Sequence, residues 1–199
     1  MTNPTDTLTL EAVPETRKRN AAATREAILA AGKRHFARSG YEGTYLRDIA
    51  AEAGADAALI NRYFGGKEGL FAACLRAAIR SEKLFEGDRA DFGRRIGKMF
   101  ASRSAPASDE GMQGFHLILR AATSSATAHM LNEAVQERFM GPIRDWLGGE
   151  APAARARLIS AMFIGLLVEG LIRDDPLVDP ERSAYAARVG AMFQNLVDG

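Results

Sequence analysis

Residues 46–63 contain two short helical patterns that are separated by only three residues, Gly54-Ala55-Asp56. Two helices that cross steeply need a small residue where their backbones meet, and Ala50 supplies it. The turn between them needs a residue that tolerates a positive φ, and Gly54 does so. The apolar residues that would hold both helices against a core are Ile49, Ala53, Ile60 and Phe64. The stretch therefore predicts a helix-turn-helix.

Two polar residues, Thr44 and Asp56, stand where the N-caps of these helices are expected. A hairpin of two helices with no role in DNA binding would show the same small residues and caps. The pattern taken alone leaves both interpretations open.

The charge of the chain is unevenly distributed and favours the DNA-binding interpretation. The net charge is only +1, but residues 15–83 hold 13 Lys and Arg against 8 Asp and Glu. Residues 84–199 hold 13 against 15, and residues 1–14 hold two acids and no base. A basic segment joined to a mildly acidic one is typical of a chain whose one end meets phosphates.

The fold class predicted from the pattern is all-α, because no stretch alternates apolar and polar residues with β-branched enrichment. Nine helices are expected, with a bend at Gly141-Pro142 since proline lacks the amide donor. Their approximate ranges are 21–38, 46–53, 57–63, 67–85, 88–102, 110–122, 126–147, 152–173 and 180–197. The expected domains are a disordered tail (1–17), a helix-turn-helix DNA-binding domain (18–84) and a larger helical ligand-sensing and dimerisation domain (85–199).

Several other classes of protein are disfavoured by the sequence. The apolar run Leu158–Leu171 is shorter than a membrane span and is interrupted by polar residues. Residues 1–14 lack the basic and apolar regions of a secretory signal, so a cytoplasmic protein is expected. The single cysteine, Cys74, excludes an internal disulfide and is expected to pack in the core.

An enzyme is not expected, nor is a cofactor or a metal ion. The three histidines show no metal-ligand spacing, and no nucleophile-elbow motif is present. Gly65-Gly66-Lys67 lacks both the preceding glycine of a phosphate-binding loop and the Ser or Thr that follows its lysine.

The segment that continues the helix-turn-helix makes the pattern specific. In order, the chain shows Gly40-Tyr41, Thr44, Arg47-Asp48-Ile49-Ala50, Ala53-Gly54, Tyr63-Phe64 and Lys67-Glu68-Gly69-Leu70. Over about residues 20–71 the sequence therefore resembles the TetR family of repressors. The resemblance implies that the helix near 57–63 is a recognition helix that enters the major groove, supported by the helix near 46–53.

The same resemblance implies several contacts with the phosphate backbone. Thr44 and Arg47 would lie on it at the start of the supporting helix. Lys67 matches the family's phosphate-binding lysine at the N-terminus of the fourth helix, where backbone amides and the helix dipole also attract an anion. Arg17, Lys18 and Arg19 precede the first helical pattern and are further candidates for phosphate or minor-groove contacts.

The chain departs from the family where specificity is set. Many members have Ser-Lys-Gly-Thr-Leu-Tyr where residues 56–61 here read Asp-Ala-Ala-Leu-Ile-Asn. Direct readout is expected from Asn61 and Arg62, because Asn pairs with adenine and Arg with guanine in the major groove. Tyr63 is expected to give its hydroxyl to a phosphate while its ring packs. The candidates for thymine methyl contacts are Ala57, Ala58 and Leu59.

A dimer is expected, because one recognition helix makes too few contacts to select an operator. The resemblance implies that the last two helices form a four-helix bundle with those of a partner chain. The residues suited to that packing are Leu158, Met162, Gly165, Leu166, Glu169, Gly170, Tyr185, Val189, Met192 and Phe193.

The larger domain contains candidates for a ligand cavity that suits an apolar or amphipathic molecule. The apolar candidates are Phe100, Phe115, Leu119, Met130, Phe139, Trp146, Met162 and Phe163, and the polar ones are His116, Arg120 and Glu169. The function expected is a ligand-responsive repressor released from a palindromic operator in double-stranded DNA. The alternatives are a helical interaction protein without operator binding and an activator or ligand-blind DNA binder.

Overall fold

A computed structural model describes residues 13–79, 81, 84–102, 109–173 and 177–199, with the side chains of 13–19 and 109–110 outside the description. Within these ranges all regular structure is helical. None of the helices described there is long and apolar enough to cross a membrane.

The described residues form ten α-helical segments. These are α1 (Val13–Ser39), α2 (Leu46–Glu52), α3 (Ala57–Phe64), α4 (Lys67–Ala78), α5 (Phe92–Ala101), α6 (Asp109–Ala122), α7 (Ala128–Val135), α8 (Gly141–Leu147), α9 (Pro152–Ile172) and α10 (Glu181–Asp198). A 3-10 turn, Arg89–Asp91, precedes α5, and a π-helical turn, Gln136–Met140, joins α7 to α8 without a break. Counted as continuous helices, the described segments are nine, which confirms the prediction.

Two predicted boundaries were wrong. Helix α1 begins at Val13 rather than near residue 21, and residues 1–12 of the expected tail lie outside the described part. Pro14 fits the first turn of a helix, and the Glu, Arg, Lys and Ala residues that follow favour one. Helix α4 ends at Ala78 rather than near residue 85. Soon after it, Ser81 is buried and hydrogen-bonded to another element, so a tertiary contact overrides the local helical preference.

The chain divides into two compact units, residues 1–74 and 75–199, which places the division inside α4 rather than at residue 84. The earlier residues of α4, including Phe71 and Cys74, are buried in the first unit. Its last turn belongs to the second unit, where Arg76 pairs with Glu137 at 2.6 Å. Helix α4 is therefore shared by both units.

The core of the first unit is built around aromatic and aliphatic side chains of α1 to α4. The ring of Phe71 lies 4.9 Å from that of Phe36 and 5.0 Å from that of Tyr41. Ile49 of α2 and Ile60 of α3 are fully buried. These residues hold the two short helices against α1 and α4, as their sequence positions predicted.

The second unit depends on a close approach of α5 and α10. A Cβ atom on Gly97 would lie 2.1 Å from the carbonyl oxygen of Ala186, and one on Gly93 would lie 2.2 Å from that of Gly190. Only glycine fits at these two positions of α5. The contact continues into an aromatic core in which the ring of Phe193 lies 5.0 Å from that of Phe163.

One carbonyl of the continuous helix α7–α8, that of Arg138, accepts a hydrogen bond from outside the helix. Pro142 lacks an N–H and cannot bond to the carbonyl of Arg138 four residues earlier. The N–H of Gly141 bonds to the carbonyl of Gln136, five residues earlier, which gives the π-helical turn. The Arg138 carbonyl instead accepts a hydrogen bond from the hydroxyl of Ser81. The proline thus creates the attachment point for the segment that follows α4.

The bond between Ser81 and the Arg138 carbonyl predicts that substitutions at Ser81 and Pro142 are not additive. Ser81→Ala removes the hydrogen bond from the hydroxyl to the Arg138 carbonyl and is expected to lower the free energy of unfolding by about 1 kcal/mol. In a Pro142→Ala background the same change is expected to cost much less, because residue 142 regains the N–H that bonds to Arg138. Urea denaturation of the two single variants and the double variant measures the coupling, and strictly additive losses would contradict the explanation.

Candidate functional site

The turn between α2 and α3 has the geometry of a helix-turn-helix. Gly54 has a φ of +61°, and the N–H of Ala55 bonds back to the carbonyl of Ala50 at 2.9 Å. Asp56 caps α3, since its carboxylate accepts a hydrogen bond from the N–H of Ala58 at 2.8 Å. The predicted roles of Gly54 and Asp56 are confirmed.

Helix α3 buries one face and presents the other to solvent. Ile60 is fully buried, whereas Asn61 and Arg62 are exposed. Leu59 and Tyr63 are half-buried, and Ala57 and Ala58 are exposed at the N-terminal end of the helix. The outward face therefore carries one amide and one guanidinium beside small methyl groups, a set that matches base edges and thymine methyls in a major groove.

The end of α3 and the start of α4 are packed backbone against backbone. A Cβ atom on Gly69 would lie 1.8 Å from the carbonyl oxygen of Phe64. That overlap involves main-chain atoms, so a side chain at residue 69 would force the two helices apart. Close packing of α3 against α4 therefore requires glycine at position 69 of the Lys67–Leu70 motif.

Thr44 does not have either of its predicted roles. The N-cap of α2 is Tyr45, which makes no side-chain capping bond. The Thr44 side chain is buried, and its hydroxyl lies 2.7 Å from the carbonyl oxygen of Gly40 and 3.2 Å from that of His35. The hydroxyl therefore satisfies carbonyls at the end of α1, as the helix terminus requires, and is not available to a phosphate.

Tyr45 takes the exposed position that Thr44 was expected to have. Its side chain is 58% exposed, and the guanidinium of Arg47 lies 5.2 Å from its ring centroid. Arg47 is itself highly exposed and only loosely paired with Asp48, at 3.4 Å. The sequence showed a tyrosine beside a predicted phosphate contact, but which of the two residues before α2 points outward was not readable from it.

Lys67 is fixed against the loop between α1 and α2. Its ammonium lies 4.7 Å from the ring centroid of Tyr41 and donates to the carbonyl of Glu42 at 3.4 Å. Burial, and then the charges of Glu68 and Glu42, raise the pKa of the Tyr41 hydroxyl. The first turn of α4 thus meets solvent beside a neutral phenol and a positioned ammonium.

A polar network holds α2 against α1. Glu52 accepts from Arg34 Nε at 2.5 Å through one carboxylate oxygen, and His35 Nε2 lies 2.7 Å from the other. The hydrogen bond from Arg34, with smaller contributions from its charge and from His35, lowers the pKa of Glu52 against the opposing effect of burial. The supporting helix is therefore tied to α1 at its C-terminal end as well as through Ile49.

A further cation, which the sequence analysis did not single out, lies near α3. The guanidinium of Arg25, an exposed residue of α1, is 4.9 Å from the ring centroid of Phe64. The side chains of Arg17, Lys18 and Arg19, three turns or fewer before it, lie outside the described residues.

Family models match both units of the chain. Residues 28–74 match bacterial regulatory proteins of the tetR family, and residues 90–197 match the tetracyclin repressor-like C-terminal domain. The chain belongs to the TetR family. It is therefore a helix-turn-helix regulator of transcription, as its sequence predicted.

Solved structures of TetR-family proteins share the fold. A TetR-family transcriptional regulator from Rhodococcus sp. aligns with a TM-score of 0.65 at 18% identity, over 88% of this chain and 99% of the other. NalD of Pseudomonas aeruginosa, the secondary repressor of the MexAB-OprM multidrug efflux pump, gives 0.60 at 22% identity over 88% and 96%. The multidrug binding protein EbrR in complex with malachite green gives 0.58 at 19% identity over 86% and 96%. No curated protein matches the chain.

In this TetR-family chain the single cysteine is a core residue, as predicted. Cys74 is fully buried, and its Sγ lies 3.7 Å from the carbonyl oxygen of Leu29. Burial raises the pKa of the thiol to about 12. At neutral pH the sulfur is protonated and is not a nucleophile.

The apolar ligand candidates fall into two groups. One group lies in or against the aromatic core of the second unit and comprises Phe100, Phe139, Trp146, Met162 and Phe163. The other lies on α6 and α7 outside that cluster and comprises Phe115, Leu119 and Met130. The first group is a contiguous apolar environment, which is what a cavity for an apolar molecule requires.

The three polar ligand candidates lie on the surface instead, which corrects the expectation that they line a cavity. His116 and Arg120 are one turn apart on α6, so they share its exposed face. Glu169 is exposed and accepts from Arg173 Nε at 3.0 Å, one turn further along α9.

The position of Thr44 leads to a testable distinction between structural and contact roles. Thr44→Val removes the hydroxyl but keeps the shape, and it is expected to lower the free energy of unfolding by about 1–2 kcal/mol. Thr44→Ser keeps the hydroxyl and is expected to lose less. Thermal or urea unfolding measures both. A Thr44→Val variant that is fully stable but binds DNA weakly would contradict the buried role.

Proposed function

We propose that this TetR-family regulator is a repressor that binds a palindromic operator as a homodimer and is released by a small apolar or amphipathic effector. The observation that carries the proposal is the outward face of α3, where Asn61 and Arg62 are exposed while Ile60 is buried. Operator DNA lies in the cytoplasm, so we place its action there, and we assign it no enzymatic activity.

In this proposal α3 reads bases and its neighbours hold phosphates. Arg62 pairs with guanine and Asn61 with adenine, while Ala57, Ala58 and the exposed edge of Leu59 contact thymine methyls. Phosphate contacts come from Tyr63, Arg47 and Lys67, together with the free amides of the first turn of α4. The exposure of Tyr45 beside Arg47 adds its hydroxyl to this set.

The proposed dimer uses the faces of α9 and α10 that are left open. Helix α9 buries Ile159 and Phe163 in its own core, yet it also exposes Leu158 and Ile164, at 54% and 49%. An apolar surface on both sides of a helix indicates that the second side is covered by another element. On α10, Met192 is 55% exposed as well. A Cβ on Gly165 or Gly170 would meet no atom within 4 Å, which leaves room for a partner helix to approach.

The proposed coupling between effector and DNA runs through the end of α4. Two contacts attach this end to the α7–α8 helix, the Arg76–Glu137 ion pair and the hydrogen bond from Ser81 to the Arg138 carbonyl. An effector that enters the aromatic core beside Trp146 of α8 would favour one arrangement of α7–α8 and thereby one position of α4. Two proteins of the same fold support an effector-responsive repressor: NalD is a repressor, and EbrR is a multidrug binding protein that binds malachite green.

Selection of bound DNA from a random library tests the DNA-binding assignment. The wild type is expected to enrich a palindrome with two half-sites one helical turn, or a multiple of it, apart. Arg62→Ala is expected to relax specificity at one position of each half-site. Lys67→Ala is expected to weaken binding to all sequences alike and to reduce its salt dependence, because it removes a phosphate contact.

Lys98→Ala is the matched control, since it removes an exposed cation from α5, outside the first unit. It should leave both motif and affinity unchanged. If the wild type enriches no motif at moderate salt, operator binding is wrong and a helical interaction protein becomes the better interpretation. A motif whose affinity no small molecule changes would instead favour a ligand-blind DNA binder.

A charged substitution on α9 tests the dimer. Ile164→Glu is expected to convert the dimer to a monomer, because a carboxylate would be buried at the interface without a partner. Met99→Glu, at a 37% exposed apolar residue of α5, is the control and should stay dimeric. Sedimentation velocity measures the mass of each species. A wild type that is monomeric at micromolar concentration would contradict the proposed assembly.

A further inference from the structure

Two side-chain nitrogen atoms of Arg95, in α5, are buried. Its Nε and Nη2 have no hydrogen-bond partner among the residues that the structure describes. Its Nη1 lies 3.4 Å from the carbonyl oxygen of Leu84, which holds the guanidinium in place. Buried donors of a charged group are costly to leave unpaired, so an arrangement of this kind calls for an acceptor.

Asp91, four residues earlier in the chain, does not supply that acceptor. Asp91 is already bound to the neighbouring guanidinium of Arg94, with distances of 3.0 Å and 2.6 Å through its two oxygens. Its lowered pKa has the hydrogen bond from Arg94 as the main cause, and Arg95 contributes only through its charge. Arg94 and Lys98 add positive charge to the same helix, which favours a further anion.

The two unpaired nitrogens define what kind of anion fits. Nε and Nη2 lie along one edge of the planar guanidinium, so their N–H bonds point in nearly the same direction. This is the edge that binds both oxygens of a carboxylate at once. A phosphate dianion would bring a second charge, and the described part of this site offers no second free guanidinium to meet it.

A row of aromatic rings begins beside the guanidinium. Its carbon lies 5.8 Å from the ring centroid of Phe92, and that ring is 5.1 Å from the ring of Trp146. Trp146 is in turn 5.4 Å from Phe85, a half-buried residue next to Leu84. Gly87 comes close as well, since a Cβ there would lie 3.6 Å from the guanidinium carbon.

We infer that Arg95 is the polar anchor of the effector site and that the effector is an amphipathic carboxylate. Its carboxylate binds Nε and Nη2, and its apolar body lies along Phe92 and Trp146 after displacing the half-buried side chains of residues 84 and 85. The inference rests on the proposed sensing function and adds the chemistry of the ligand. It also supplies the polar anchor that His116, Arg120 and Glu169 do not.

Three ligands of equal chain length test the charge requirement: decanoate, 1-decanol and decylammonium, each below its aggregation concentration. Trp146 is the only tryptophan, so its fluorescence reports on this site. The wild type is expected to bind decanoate at least 10-fold more tightly than 1-decanol and to bind decylammonium most weakly. Equal affinity for decanoate and 1-decanol, or no binding of decanoate, would overturn the inference.

Variants at two adjacent arginines test the residue. Arg95→Met and Arg95→Lys are expected to weaken decanoate binding roughly 10- to 100-fold, because neither offers the paired donors, while 1-decanol binding stays unchanged. Arg94→Lys is the matched control, because it keeps a cation beside Asp91, and it is expected to keep the wild-type preference. Decanoate binding that is unaffected by both Arg95 variants would assign the carboxylate elsewhere and overturn the inference.

Stability without ligand gives an independent measurement. Arg95→Met is expected to raise Tm by a few degrees, since it removes unpaired buried donors and places a thioether against Phe92. A lower Tm for this variant would mean that the guanidinium is satisfied in the free protein. Operator binding is measured separately by DNA selection, so a failed carboxylate test leaves the DNA-binding proposal standing, and the reverse also holds.

Discussion

The arrangement of this protein depends on one helix that is packed by different partners at its two ends. The first half of α4 packs in the first unit through the aromatic contact between Phe71 and Phe36. Its last turn is held in the second unit by the ion pair between Arg76 and Glu137. Neither unit is complete without its part of the helix. In the proposed response to an effector, a change at the α7–α8 helix would therefore reach the last turn of α4 through this ion pair.

The elements that the sequence predicted best are those governed by local rules. The capping carboxylate of Asp56, the left-handed Gly54 and the apolar Ile49 and Ile60 act within a few residues of their own positions. Such signals are readable in a single sequence because their partners are close along the chain. The recognition helix was accordingly predicted to within one residue of its observed end.

Features that depend on distant partners were not predictable in this way. The burial of Thr44 rather than Tyr45 is decided by carbonyls at the end of α1, and the need for glycine at Gly97 is decided by a backbone 89 residues later. The buried Nε and Nη2 of Arg95, which find no partner among the described residues, were not predictable either, because in the sequence Arg95 is one of several charges on an amphipathic helix. In each case the deciding atom belongs to an element whose position only the folded chain defines.

The contact at Gly69 has a further consequence for how the DNA-binding unit can move. The main chain of α4 at Gly69 lies directly against the Phe64 carbonyl, the last of α3. No side chain lies between the two that could change its rotamer if one helix shifted against the other. We therefore expect α3 and α4 to move together, without a hinge in the short loop that joins them. An adjustment of α3 to DNA is then expected at its other end, in the turn around Gly54, whose φ of +61° a residue with a side chain rarely adopts.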